Sequence, residues 1–329
     1  MSLATLLSAF CGGILGAAMG GLQAFILCGF TIVIGTGLNL CTNNPDFMQA
    51  ISWGPFLSPH IAFAGGVAAS AFAGRRGCLK SGREINVSLM GNDSPETLLV
   101  GGFFGLLGQL FKMLYETIPH IGSYPWTNTM ALSVFTTNVI ARLVFGKTGI
   151  LGTVPQGCRR GIPSQCSNWI LWESRPSQLI IIAIAVSYPI ADMILKYPAL
   201  AGVSFGIGAF SLLFLHFGNH MPVFFHIALA AETGATLSGD PWWGVTFGLL
   251  ASFLGELVAR LFLIHGDTHI DPPSGALVFL GSLGPLLSLC GFFSWSATIP
   301  AFSPLFVVGV ALGGNFLLSV FVGPAGEKN

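Results

Sequence analysis

The chain has 329 residues, of which 53% are hydrophobic and only 8% charged, with 13 basic and 13 acidic side chains. Soluble globular domains carry about 25% charged residues, so a water-soluble fold is excluded. A net charge of zero leaves no basic field for nucleic acid. The mean hydropathy of +0.76 and the abundance of Gly (44) and Phe (28) suit helices packed closely in a lipid bilayer.

Nearly uncharged runs place about eleven membrane-spanning helices, each of roughly 17–22 residues. They fall at 4–20, 22–40, 52–73, 98–116, 127–146, 177–196, 199–217, 222–238, 243–263, 274–294 and 302–323. The expected fold is an all-α integral membrane protein. The first 40 residues lack a basic leader and are long enough to cross twice, so they read as spans and not as a cleaved signal. Gly12, Gly16 and Gly20, then Gly101 and Gly105, then Gly202 and Gly206, are spaced by four. That spacing brings helix backbones together. Segments 52–73 and 222–238 each carry a proline near the start and are candidates for broken or re-entrant helices.

These two segments also match one another. Pro59 to Ala71 (PHIAFAGGVAASA) reads again from Phe225 to Leu237 (FHIALAAETGATL). Leu107 to Phe135 aligns without a gap on Leu254 to Ser282, pairing Gly108 with Gly255 and Pro125 with Pro272. Both matches occur in the same order in both halves, the sign of a duplicated unit. Two units of five helices must insert upside-down relative to each other. The expected organisation is therefore a first five-helix repeat over 1–146, a basic cytoplasmic loop over 147–176, a second, inverted repeat over 177–296, and an extra C-terminal helix and tail over 297–329.

Orientation follows from the basic residues. Arg75, Arg76, Lys80 and Arg83 precede the fourth span; Lys147, Arg159, Arg160 and Arg175 follow the fifth. Two spans separate these loops, so both lie on one side, which the positive-inside rule makes cytoplasmic. The N-terminus is then outside and the C-terminus inside, in a cell membrane. All seven tryptophans fall near span ends, as in an aromatic belt. Arg142 and Arg260, near cytoplasmic ends, are expected to snorkel. Cys78, Cys158 and Cys166 lie in the cytoplasmic loops, where disulfides are unusual.

Chemistry is expected at two places. Glu232 lies inside the eighth span, where a carboxylate is costly unless partnered, protonated or wet. It is a candidate for proton or cation coupling, the alternative being a span that ends early and leaves Glu232 near the outer surface. His60 and His226 are equivalent points of the two repeats, as are Gln109 and Glu256; all four are candidate pathway residues. Glu256 and Arg260, and Lys112 and Glu116, are four apart and can neutralise one another along a helix.

The second place is His265-Gly-Asp267-Thr-His269-Ile-Asp271-Pro-Pro. In an extended chain the alternate residues His265, Asp267, His269 and Asp271 point the same way. Imidazole with carboxylate suits a transition-metal ion such as Zn, Mn, Fe or Ni. The competing reading is an Asp271–Pro272 helix cap with histidines in an aqueous loop.

No nucleotide-binding fingerprint or common hydrolase motif is present. The five-plus-five inverted plan resembles that of urea transporters, and Asp271-Pro-Pro-Ser-Gly-Ala-Leu277 resembles their Asn-Pro helix starts. The proline pair also resembles HPP-type membrane proteins. These resemblances cover architecture and a few residues, and imply no site. The function expected is a permease, channel or secondary transporter, for a small solute or ion, with its site between the repeats. The alternatives are a membrane-embedded metalloenzyme using the His/Asp cluster, or a membrane subunit docking a cytoplasmic partner, or a second copy of itself, through the basic loops. An enzyme is the weaker expectation, since nothing in the chain requires chemistry.

Overall fold

The computed structural model describes residues 2–158, 160 and 175–322. The described residues are helical, with no strand beyond two isolated bridges. The helices are α1 (Leu3–Met19), α2 (Gly21–Thr42), α3 (Ala64–Arg76), α4 (Pro95–Glu116), α5 (Thr129–Phe145), α6 (Pro176–Lys196), α7 (Val203–Ser211), α8 (Phe225–Ser238), α9 (Pro241–Val258), α10 (Pro272–Leu289), the single turn α11 (Phe292–Ser296), and α12 (Phe302–Val322). Among the described residues, seven helical stretches are long and apolar enough to cross a membrane: Gly21–Thr42, Pro95–Glu116, Pro176–Lys196, Pro198–Phe217, Pro241–Leu263, Pro272–Leu289 and Phe302–Val320. Leu3–Met19 and Thr129–Phe145 are shorter apolar helices. Large apolar side chains such as Ile181, Leu305, Leu312 and Phe316 are exposed, as suits a surface that faces lipid.

Helix starts are written locally. Proline opens α4, α6, α9 and α10, where its missing N–H costs nothing. Asn128, Asp240 and Asp271 accept first-turn N–H groups of α5, α9 and α10. Segments 52–73 and 222–238 are interrupted. The first reaches α3 through a wide turn, Pro59–Phe63, and the second becomes helical only at Phe225. Most of α3 and α8 is buried; protein also buries the break at 59–63, whereas residues 216–220 before α8 are exposed.

The packing partners recur. α1 lies on α4 with Gly13 against Gly101 and Gly105, and α6 lies on α9 with Ala191 and Ser187 against Gly244 and Gly248. α3 packs on α1, α4 and α5, as α8 packs on α6, α9 and α10. Between the halves, α2 meets α7 and α5 meets α10. Both pairs run antiparallel. Gly29 abuts Ala209 and Phe210 while Ile32 and Val33 abut Gly206; Asn128 abuts Gly281 while the Asp271 N–H donates to Asn138 Oδ1 at 3.1 Å.

At one end, three connections knit together. The bridge Gly82–Thr268, the Thr153 N–H to the His265 carbonyl at 2.9 Å, and Arg83 to the Leu263 and Ile264 carbonyls at 3.3 and 3.2 Å join residues of both halves. Arg142 is the centre of this closure and is fully buried, which corrects the expectation that it snorkels. Its guanidinium donates to the Thr268 hydroxyl and carbonyl and to the Gly149 and Ile150 carbonyls, 3.8 Å from Asp267. Arg260 is buried as well, held by Glu256 at 2.7 Å. The tryptophan belt also needs correction: Trp243 packs inward on Phe293 and Phe306 and donates to Ser296 Oγ at 3.1 Å. Cys78 is a free thiol, whereas Cys158 is disulfide-bonded, contrary to expectation; Arg159, Cys166, Trp169 and Trp172 lie outside the described residues.

Candidate functional site

The position of α5 against α10 decides where the interior opens. Asn138 is level with Asp271 and Asn128 with Gly281. The two helices therefore overlap along ten residues, about 15 Å at 1.5 Å per residue. Each then runs on past the start of the other, to Phe145 and to Leu289. Both helices consequently begin inside the bundle and not at its ends.

A cavity of about 420 Å³ occupies the space between these starts. Its wall takes Pro59 from the turn entering α3, Asn128 and Ala131 from α5, Phe225 from α8, and Asp271 to Ser274 from α10. The starts of α5, α8 and α10 and the turn entering α3, two from each half of the chain, thus surround one chamber. Phe25, Trp53, Phe63 and Phe205 are among the remaining wall residues, and the wall is mostly apolar. Helix N-termini carry partial positive charge and unpaired N–H groups. They would favour the electron-rich end of a solute in this otherwise apolar surrounding. Two of the four ends carry their own acceptors: Asn128 caps Ala131 at 3.0 Å, and Asp271 Oδ2 caps Ser274 at 2.9 Å.

His269 reaches this chamber beside Asp271, its Nε2 3.5 Å from Asp271 Oδ1 and its ring edge-on to Phe63. The other members of the alternating segment are directed elsewhere. Asp267 accepts the Lys147 N–H at 2.6 Å and the Thr148 hydroxyl at 2.7 Å. His265 is buried under the Thr153 strap. Among the described residues no three His, Cys, Asp or Glu side chains form a group able to hold a metal ion. The segment is not an aqueous loop either, since His265, Thr268 and Ile270 are buried. Burial pulls the Arg83 guanidinium in the facing loop below its usual range, against the opposing charge of Asp267.

The two histidines that align in sequence, His60 and His226, stand in different surroundings. His60 is saturated: Ser58 Oγ lies 2.8 Å from Nδ1, and Gln109 Oε1 lies 3.1 Å from Nε2. His226 packs its ring on Gly255, as the His60 carbonyl packs on Gly108, but its buried Nδ1 has no partner. With Glu256 it lines a second cavity of about 400 Å³, between α6, α8, α9 and α10, that shares Val223, Pro272 and Pro273 with the central chamber.

Glu232 lines neither cavity. It is buried, not near the outer surface, and its Oε2 accepts the Gly202 N–H at 3.0 Å at the start of α7. Gly66, which aligns with it in sequence, packs directly on Gly21 at the start of α2. The two positions thus meet equivalent helix starts, one by close contact and one by a carboxylate cap.

A family sequence model matches this chain twice, over residues 1–163 and 160–302. The chain belongs to the Family of unknown function (DUF7973). No curated protein and no solved structure matches it. DUF7973 membership therefore brings no activity with it, and the reading of the site rests on geometry. Sequence reasoning missed Asn128, Asn138 and Arg142 as structural centres. Asn128 carried a usable signal, a capping residue before an apolar run. Asn138 and Arg142 carried none, because their partners lie more than a hundred residues away.

Proposed function

We propose that this DUF7973 protein is a multi-pass membrane permease, a channel or secondary transporter, that carries a small solute or ion through the central chamber. The observation that carries this reading is the convergence of three helix starts and the turn entering α3, two from each half, on one cavity. Helices broken within the bundle and meeting between two halves are the usual construction of a transporter site. The duplicated sequence, the recurring packing partners and the antiparallel α2–α7 and α5–α10 pairs support two five-helix units in inverted relation. The matches of one family model to each half point the same way. In this reading all eleven segments cross or enter the membrane, α3 and α8 completing their passage through the non-helical stretches before them, and α12 stands outside the repeats.

The wall favours a small solute with an apolar body or a weakly hydrated ion, since a strongly hydrated charge would find few partners there. The metalloenzyme reading has no comparable support, because Asp267 is committed to Lys147 and Thr148, and Asp271 to its cap. The test is flux of a panel of small solutes into liposomes holding the purified chain. Ala131→Trp and Leu277→Trp plug the chamber from opposite halves. Solute-dependent flux abolished by either, with the fold retained, is the expected result. Flux indifferent to both plugs, or none for any solute, overturns the proposal.

A further inference from the structure

Two kinds of side chain stand out on the wall of the central chamber. Phe25, Trp53 and Phe63 from the first half of the chain and Phe205 and Phe225 from the second line it together. Their rings form one continuous surface, with centroids 5.6 Å apart for Phe25–Phe63, 5.8 Å for Phe25–Phe205 and 5.7 Å for Trp53–Phe205. Phe63 is also edge-on to His269 at 6.0 Å, so this surface ends beside the His269–Asp271 pair. Asp271 is the one carboxylate on the described wall, and no Lys or Arg lines it. Its Oδ2 accepts the Ser274 N–H. Among the described residues no donor reaches Oδ1, His269 Nε2 standing 3.5 Å off. The side chain is 14% exposed, its Oδ1 is not sealed in protein, and it lines this chamber and not the second cavity.

We propose that the solute of this chamber is a small alkylated ammonium ion, its positive head beside Asp271 Oδ1 and its alkyl groups along the aromatic wall. This identity rests on reading the chamber as a solute site. A carboxylate inside an apolar bundle calls for a counter-charge, and aromatic faces attract cations that shed their water easily. The full charge of Asp271 outweighs the partial charge, about half a unit, of the helix end it caps, and Asn128 satisfies the end of α5. An anion would therefore meet a carboxylate and ring faces. A calcium or magnesium ion takes about six or more oxygen ligands, which this wall does not offer. The volume of about 420 Å³ is within the range of small-molecule sites, about 300–1,000 Å³.

The experiment uses the full chain in lipid nanodiscs, with radiolabelled choline as the probe and empty discs as the background. One saturable equivalent per chain is expected, displaced by tetramethylammonium and not by 3,3-dimethylbutan-1-ol, which has the shape of choline without its charge. Asp271→Asn keeps a capping oxygen and removes the charge, and should weaken binding about tenfold or more. Trp53→Leu should weaken it about threefold. Asp240→Asn, the same exchange at the cap of α9 away from the chamber, should leave it unchanged. Melting curves establish that each variant folds. Binding no greater than in empty discs, equal displacement by the neutral alcohol, or full affinity in Asp271→Asn would overturn the assignment. Binding is read without flux, so the two readings fail separately. Choline bound with no flux of any solute removes the permease alone, and flux of other solutes without choline binding removes the ammonium site alone.

Discussion

Glu232 and Arg142 are both ionisable groups inside an apolar bundle, and the structure gives each a definite partner. Glu232 holds the start of α7 through the Gly202 N–H. An amide oxygen can accept the same bond, so Glu232→Gln should cost little stability. Glu232→Ala should cost about 1–2 kcal/mol as a lost buried cap. Thermal unfolding of the two variants checks this. Equal losses in Gln and Ala, or none in either, would overturn the cap reading; flux abolished in Gln at unchanged stability would add a coupling role to the cap. Arg142 uses the planar fork of its guanidinium to reach Thr268 on one side and the Gly149 and Ile150 carbonyls on the other. Lysine cannot span these acceptors together. Arg142→Lys is expected to lower stability by about 1–3 kcal/mol and to loosen residues 264–271, read as faster amide exchange there. Unchanged exchange would remove Arg142 from the centre of the closure.

At the scale of elements, the two halves use the same contact with different tolerance. A Cβ on Gly108 would run into the His60 carbonyl, which is backbone and cannot move away. A Cβ on Gly255 would come to 3.0 Å from His226 Nε2, a side-chain atom beside a cavity. Gly108→Ala should therefore destabilise by about 1–3 kcal/mol as overpacking. Gly255→Ala should be near neutral, since alanine gains about 1 kcal/mol of helix propensity. Equal losses in the two melts would contradict the unequal packing. The glycine pair and the histidine pair were legible in the sequence because they recur in register, and so were the breaks before α3 and α8, which proline marks. The central chamber was not legible. Its wall is assembled from helix starts far apart in sequence, and a single Asn128 or Ala131 carries no sign of the cavity it will face. Asp271 was readable as a cap from the following proline, but the burial of residues 264–271 depends on Arg83 and Arg142 arriving from the other half.

For the whole molecule, two observations bear on which side each connection faces, and they pull apart. The loops holding Arg75, Arg76, Lys80 and Arg83 and the residues after α5 lie together at one end, joined through Thr268 and Arg142, and their charge argues for the cytoplasm. Cys158 at that same end is disulfide-bonded, which argues for an oxidising compartment. Cys41 and Cys78 are both exposed, the first at the end of α2 and the second just past α3. In single-cysteine variants on intact cells, an impermeant maleimide should label Cys41 and leave Cys78 until the membrane is permeabilised. Labelling of Cys78 alone would reverse the orientation and put the disulfide outside. Labelling of both, or of neither, would mean that the chain returns to the same side between α2 and the end of α3. That outcome would make the third segment re-entrant and break the odd-numbered count on which the proposed inversion of the two halves rests.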